Sequence, residues 1–367
     1  MAERASGETH RGSEGLVPGG EDERLGPGAA ELDPDLTGIA FMNPLVSVIL
    51  PVYNCPHYVG ASIGSILAQS YTNLELVVID DGSTDRTPEV LRQYDDPRIR
   101  LITQENRGLA GTLNRGIELA CGQYIARQDQ DDVSFPGRLA RQVEFLDAHP
   151  RCGLVGTWAE IWLEDKRTKR VHAHPSGNAD LKFELLLNNP FVHSSVMIRR
   201  LALDRVGLYS TDTCRQPPED FELWSRIAGE YEVANIPEAL HAYREVRGSM
   251  SRDGPSPFVD HMVKISSENI ARASGVPASD AQAVNIAALT HRAEHLLQGV
   301  PDFVAMRHIL QNAAIRVTGD AGPDFVRKAG RRVDALRLRL WEIRHRRGWQ
   351  RHLAHAARGI ARLVRGS

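Results

Sequence analysis

Gly122-Gln123-Tyr124-Ile125-Ala126-Arg127-Gln128-Asp129-Gln130-Asp131-Asp132 passes from a short apolar strand directly into three carboxylates within four positions. Like charges packed this closely stay ionised at neutral pH only where a cation or strong hydrogen-bond donors compensate them. Donors that are all oxygen, with no His or Cys among them, suit a hard divalent ion such as Mg²⁺ or Mn²⁺. In an extended segment Asp129 and Asp131 point to the same side, so both can reach one ion. An equally simple reading is a solvated acidic loop capping the helix that follows Pro136, since Asp is a common turn and N-cap residue. The stretch alone leaves both open.

Upstream, apolar runs alternate with amphipathic ones. Val46-Ser47-Val48-Ile49-Leu50 reads as a strand ended by Pro51, followed by a helix with Val59, Ile63, Ile66 and Leu67 on one face. Leu74–Ile79 is a second strand, Thr87–Tyr94 a helix, Ile99–Ile102 a third strand and Gly108–Ala120 a third helix. Strands and helices alternating at this spacing predict βαβ units and a largely parallel sheet covered on both faces. Ligands of such sheets sit at the carboxyl ends of the strands. Pro51-Val52-Tyr53-Asn54, Asp80-Asp81 and Asp129–Asp132 should therefore meet on one rim. No Gly-x-Gly-x-x-Gly turn or Walker loop follows the first strand, which excludes those phosphate cradles.

Downstream, a helix is expected from Pro136 to about His149, a strand over Cys152–Leu163 and a helix over Asp180–Leu187. The loop Asn188–Ser195 leads into the strand Val196–Ile198, Pro218-Glu219-Asp220 opens another helix, and Leu240–Arg244 forms a last short strand. Beyond Pro255 only helical patterns remain: Phe258–Ala273, Ala278–Leu297 and Phe303–Val317. The tail from Arg327 is basic, with Leu336, Leu340, Trp341 and Trp349 interleaved. A basic amphipathic helix of this kind can lie on an anionic membrane surface or pack against a protein neighbour.

The 367 residues hold 44 Lys and Arg against 47 Asp and Glu, a formal net charge of −3 that gives no argument for nucleic acid as a partner. Cys55, Cys121, Cys152 and Cys214 are far apart and form no Cys-x-x-Cys pair, so neither a zinc site nor a disulfide framework is expected. No basic segment followed by an apolar core opens the chain, and no apolar run approaches the roughly 20 residues that span a bilayer. A cytoplasmic protein is the expectation. Met1 to about Asn43 is rich in Gly, Glu, Asp, Ala and Pro without apolar periodicity and is expected to be unstructured.

Several ordered motifs together closely resemble the family 2 glycosyltransferases. They are Val46–Asn54, Ile79-Asp80-Asp81-Gly82-Ser83-Thr84-Asp85, Asp129-Gln130-Asp131-Asp132 with Pro136, Arg138-Leu139 and Gln142, His193-Ser194-Ser195-Val196-Met197, and Glu219-Asp220-Phe221-Glu222-Leu223-Trp224. The resemblance runs from about Leu45 to Ser251. It implies an α/β GT-A fold with a mainly parallel central sheet flanked by helices, to which residues 255–367 add a helical extension ending in the basic amphipathic tail. Residues 44–254 would form the transferase domain, with a donor half (44–135) and an acceptor half (136–254), after the N-terminal segment 1–43.

The resemblance also implies the reaction: transfer of a sugar, with inversion, from a nucleoside-diphosphate donor, expected to be UDP-linked, to a hydroxyl of a glycan or lipid-linked acceptor in cell-surface polysaccharide synthesis. Pro51, Tyr53, Asn54, Asp81, Asp129, Gln130 and Asp131 would bind the nucleotide-sugar, with Tyr53 packing on the base and Asp81 accepting a hydrogen bond from it. Asp131, with Asp129 beside it, would hold Mn²⁺ or Mg²⁺ through a DXD motif, while Asp132 fixes the loop. Asp220 matches the catalytic base. Glu219, His193 and Trp224 are candidates on the acceptor side, each with a plain structural reading: a helix N-terminus, a hydrogen-bonded histidine and a core tryptophan.

Two departures from the family pattern matter. Where relatives carry Tyr-Arg-x-His, this chain has Tyr243-Arg244-Glu245-Val246-Arg247, and Val246 cannot ligate a metal. Either the Asp cluster, phosphates and water suffice, or Arg247 contacts the diphosphate. The Gln-x-x-Arg-Trp motif of processive synthases is absent, which points to addition of one or a few sugars. The alternative is a catalytically silent nucleotide-sugar or glycan-binding scaffold of the same fold. Peripheral contact with the inner face of the cell membrane, through the basic tail, is the remaining expectation.

Overall fold

The computed structural model describes residues 43–246, 257–319 and 322–364, with side chains of the last stretch described as far as His345. The N-terminal segment expected to be unstructured thus lies, apart from Asn43, outside the described residues, as do Arg247 and the loop after it.

The first half alternates strand and helix: β1 (Val46–Val52), α1 (Val59–Leu67), β2 (Leu74–Asp80), α2 (Thr87–Leu91), β3 (Ile99–Thr103), α3 (Gly108–Leu119) and β4 (Tyr124–Arg127). β1 pairs in parallel with both β2 and β4, and β2 with β3. All seven residues of β1 are buried, as expected of a parallel strand covered on both faces. The strand does not stop at Pro51. Pairing to β4 ends at the Ile49–Arg127 register, so Pro51 lies where β1 has become an edge and its missing N–H costs no ladder bond. α3 lies close over the sheet at Gly116, where a Cβ would collide with the Ile49 side chain.

The second half is mixed. It comprises β5 (Val133–Ser134), α4 (Arg138–Ala148), β6 (Cys152–Leu163), β7 (Lys166–His172), α5 (Asn178–Glu184), β8 (Met197–Arg199), α6 (Arg200–Val206), α7 (Glu219–Glu230) and β9 (Glu232–Glu245). The sheet order is β3-β2-β1-β4-β8-β6-β9-β5, with β7 on the outside of β6. β8 runs antiparallel to β4 and β6, β9 parallel to β6, and the short β5 antiparallel to β9. Parallel pairing therefore dominates the donor half, and antiparallel strands join it to the rest. β5 follows the acidic loop immediately, and its register with His241 and Ala242 ties that loop to the far end of β9.

Four helices follow: α8 (Phe258–Ser274), α9 (Ala281–Thr290), α10 (Phe303–Thr318) and α11 (Gly322–Val364). Asp280 caps α9, its Oδ1 accepting from the backbone N–H groups of Gln282 and Ala283 at 2.8 and 2.9 Å, and Asp302 caps α10 in the same way. Phe325, Ala329, Val333, Leu336 and Leu340 form the buried stripe of α11 at helical spacing, in one apolar cluster with α8–α10 and with Phe183, Leu186 and Leu187. The first part of the basic tail thus uses its apolar face inside the protein. No described helix is long and apolar enough to cross a membrane.

Candidate active site

The three polar strand ends meet. The Asp81 N–H donates to Val52 O at 2.8 Å, the Tyr53 N–H to Gln130 Oε1 at 2.7 Å, and the Asn54 N–H to Ser83 Oγ at 3.0 Å. Asn54 adopts a φ of 49°, a conformation Asn tolerates better than most residues, and its Oδ1 accepts from the Thr84 N–H. Gly82, at φ 79°, turns the chain after Asp81. Asp81 is buried, with Oδ1 accepting from Gln104 Nε2 at 2.6 Å and the Arg107 N–H at 2.9 Å. Tyr53 is 45% exposed at the mouth of this cleft. Gln130 joins two loops through its side chain, a tether role that its position in the motif did not reveal.

The acidic loop rests on a buried polar lattice. Arg138, fully buried, donates to Gln128 Oε1 (3.0 Å), Ser134 Oγ (2.7 Å), Gln142 Oε1 (3.1 Å) and the carbonyls of Arg127 (2.6 Å) and Val196 (3.2 Å). Asp132 is part of that lattice: its Oδ1 accepts from the Arg244 N–H at 2.8 Å, and its Oδ2 meets Ser194 Oγ and His241 Nε2. It fixes the loop. Burial holds the His241 imidazole well below its usual range, so this histidine is neutral.

Asp131 and Asp129 remain at the open side. Burial, with the charges of Asp132 and Asp129, pushes the Asp131 carboxyl up to about 8. Such a site penalises the anion until a cation arrives. Asp129 differs, because Arg127 Nη2 donates to its Oδ1 at 2.6 Å. Among the described residues no group of three His, Cys, Asp or Glu is arranged to enclose a metal. The donor set still fits a hard ion of the Mg²⁺ or Mn²⁺ type, which commonly takes one or two carboxylates and completes its shell with substrate phosphate and water.

Glu219 and Asp220 form the first turn of α7. Asp220 is half-buried; its Oδ2 accepts from Asn189 Nδ2 at 2.7 Å and its Oδ1 from the Phe221 N–H at 2.7 Å. Burial raises both carboxyls, Asp220 to about 6 and Glu219 to about 7, with the neighbouring Asp220 charge adding to the rise at Glu219. The negative charge of Asp129 also raises Asp220, which places the helix N-terminus within electrostatic reach of the acidic loop. His193 lies 3.8 Å from Glu219 and 3.0 Å from the Tyr209 hydroxyl. Burial keeps this imidazole well below its usual range too, so the contact with Glu219 is not an ion pair at neutral pH. Trp224 is fully buried and meets His193 and Tyr209 edge-on, beneath the site rather than at its surface.

The structure thus brings together Pro51, Tyr53, Asn54, Asp81, Asp129, Gln130 and Asp131, with Asp220 and Glu219 within electrostatic reach of Asp129 and His193 beside Glu219. Arg247 lies outside the described residues. Arg127, Asn189, Tyr209 and Arg244 belong to the site without having been singled out. Arg127 carried the one visible signal, a basic residue two positions before the first of three acids.

The profile described as Glycosyl transferase family 2 matches residues 47–207. EpsE of Bacillus subtilis (strain 168), named provisionally as a glycosyltransferase, is 36% identical over 229 residues, covering 60% of this chain and 81% of EpsE. TuaG of the same organism, named provisionally as a teichuronic acid biosynthesis glycosyltransferase, is 32% identical over 215 residues, or 57% of this chain and 82% of TuaG. Among solved structures, S. aureus TarS 1–349 in complex with UDP-GlcNAc superimposes with a TM-score of 0.54 at 18% identity, covering 80% of this chain and 89% of that 1–349 chain. That likeness supports the GT-A architecture. With a sheet that joins a parallel first half to a mixed second half, and relatives matched over most of their length, the chain belongs to glycosyl transferase family 2.

Proposed function

We propose that this glycosyltransferase moves a sugar, with inversion, from a nucleoside-diphosphate donor to a hydroxyl of a glycan or lipid-linked acceptor, one or a few residues at a time. The observation that supports the reading is a carboxylate at the start of α7, Asp220, which Asn189 holds by a hydrogen bond and which lies within electrostatic reach of Asp129. As the acceptor oxygen attacks the anomeric carbon, Asp220 takes its proton, and the bond to the diphosphate breaks with the electron pair leaving on the phosphate oxygen. Asp131, with Asp129 beside it, would hold Mn²⁺ or Mg²⁺, which stabilises negative charge on the departing diphosphate when bound. Tyr53 covers one face of the base, Asp81 accepts a hydrogen bond from it through Oδ2, and Pro51 and Asn54 shape the pocket. His193 and Glu219 line the acceptor side.

A UDP-linked donor is consistent with the UDP-GlcNAc bound by TarS, and a cell-surface polysaccharide product with the naming of TuaG. We read 44–254 as the transferase domain and 255–367 as an extension that buttresses it, the whole working in the cytoplasm. On α11, Arg331, Arg337 and Arg344 are exposed beside Leu338 (64% exposed) and Trp341 (58%), a composition suited to an anionic lipid surface. Flotation with anionic liposomes tests this: loss of binding on removal of 346–367 together with Trp341→Glu supports it, and unchanged flotation refutes it. Released nucleoside diphosphate across a donor panel tests the transferase reading. Tight nucleotide binding with no transfer to a broad acceptor panel would favour the silent scaffold instead, a reading motivated by Val246.

A further inference from the structure

Arg127 ends β4 with its side chain only 3% exposed, too enclosed to touch a substrate. With Ile49, Leu113, Ile198 and Tyr209 it lines a void of about 10 Å³, an apolar setting in which charge is poorly screened. Nη1 donates to the Gln128 carbonyl and Nη2 to Asp129 Oδ1 at 2.6 Å, while Nε is buried with no partner. A buried guanidinium left partly unsatisfied is costly, and it is retained where its charge has a use.

Among the described residues the one ion pair of this guanidinium is with Asp129. A divalent ion at the usual 2.0–2.1 Å from Asp129 Oδ1 would stand within about 5 Å of the guanidinium, two cations competing for one carboxylate. Asp131, by contrast, has no ion pair among the described residues, and Asp132 and Asp129 are the nearest charges that disfavour its anion.

We propose that Arg127 is a positioning residue, the site's built-in counter-cation: it occupies Asp129 and holds it as a fixed acceptor, leaving Asp131 as the carboxylate that carries the metal. The proposal rests on the transferase reading for its purpose but not for its test. Melting of the full chain in EDTA is compared for Arg127→Met, Asp129→Asn and the double variant. The pair requires that Asp129→Asn, harmful alone, restores melting temperature in the Arg127→Met background; additive losses overturn it. Should Arg127→Met not fold, Arg127→Lys takes its place in the same cycle.

Titration with Mn²⁺ alone provides the second arm. Asp129→Asn should keep the wild-type affinity within about threefold, while Asp131→Asn weakens it by at least about tenfold. Equal losses in both variants overturn the division of roles. A wild-type chain that binds no Mn²⁺ refutes the metal part of the transferase reading and the assignment to Asp131, and the melting cycle then judges the Arg127–Asp129 pair by itself.

Discussion

Asp220 differs from an exposed carboxylate because burial disfavours its anion. Its folded value is raised to about 6, so as the proposed base it would be protonated and inactive below that pH and competent above it. The kcat/KM of the enzyme should therefore rise with pH and level off near 6 to 7, whereas an unperturbed Asp would level off near about 4. Asn189 donates to the ionised form, so Asn189→Ala should move this acid limb to higher pH; a limb that stays in place would contradict the role given to that contact. Tyr53 is exposed and held by its backbone, so Tyr53→Ala should leave folding intact and raise the donor KM by about tenfold, the cost of one base–aromatic contact. Most of these residues were legible in the sequence because each belongs to a short ordered motif. Arg127, Asn189 and Tyr209 were not, since what they do depends on side chains delivered from other parts of the chain: Asn189 meets Asp220 only through folding.

At the scale of elements, the strands that could be read are the ones buried on both faces. β1 and β2 are almost wholly apolar, and β6 was delimited to the residue. β7 escaped because Lys166-Arg167-Thr168-Lys169-Arg170 is the charged sequence of an exposed edge, which resists further pairing but carries no apolar alternation. β9 was recognised only over its last residues: Pro237 and the exposed Glu238 interrupt it, and its register against β6 slips at the same place. Arg138 on α4 ties together the residues that flank the acidic loop, Arg127 and Gln128 before it and Ser134 after it. Arg138→Met would remove hydrogen bonds to three side chains and two carbonyls and leave buried acceptors such as Gln142 Oε1 short of a donor. A loss of about 3–5 kcal/mol is expected, measured by urea denaturation. A change below about 1 kcal/mol would show that the lattice does not hold the loop.

On the scale of the molecule, the helices after Phe258 are joined to the transferase core rather than appended to it. Ser266 Oγ donates to Leu186 O at 2.8 Å, Asn269 Nδ2 to Leu185 O at 3.0 Å, and Arg332 pairs with Glu184. These contacts brace the segment that leads to Asn189 and hence to Asp220. A chain truncated at 254 would expose Phe183, Leu186 and Leu187 to water, so it should aggregate or melt well below the full chain in a thermal scan. A truncated chain that melts like the full one would show the extension to be dispensable. The proposed activity is metal-dependent transfer with Asp220 as base. It is tested most directly by nucleoside diphosphate released from a panel of nucleotide-sugars, with wild type and Asp220→Asn side by side and each repeated in EDTA. The expected result is release from a narrow set of donors, abolished by EDTA and lowered by about 10²–10⁴-fold in Asp220→Asn at unchanged melting temperature. Near-normal release by a folded Asp220→Asn enzyme would contradict it.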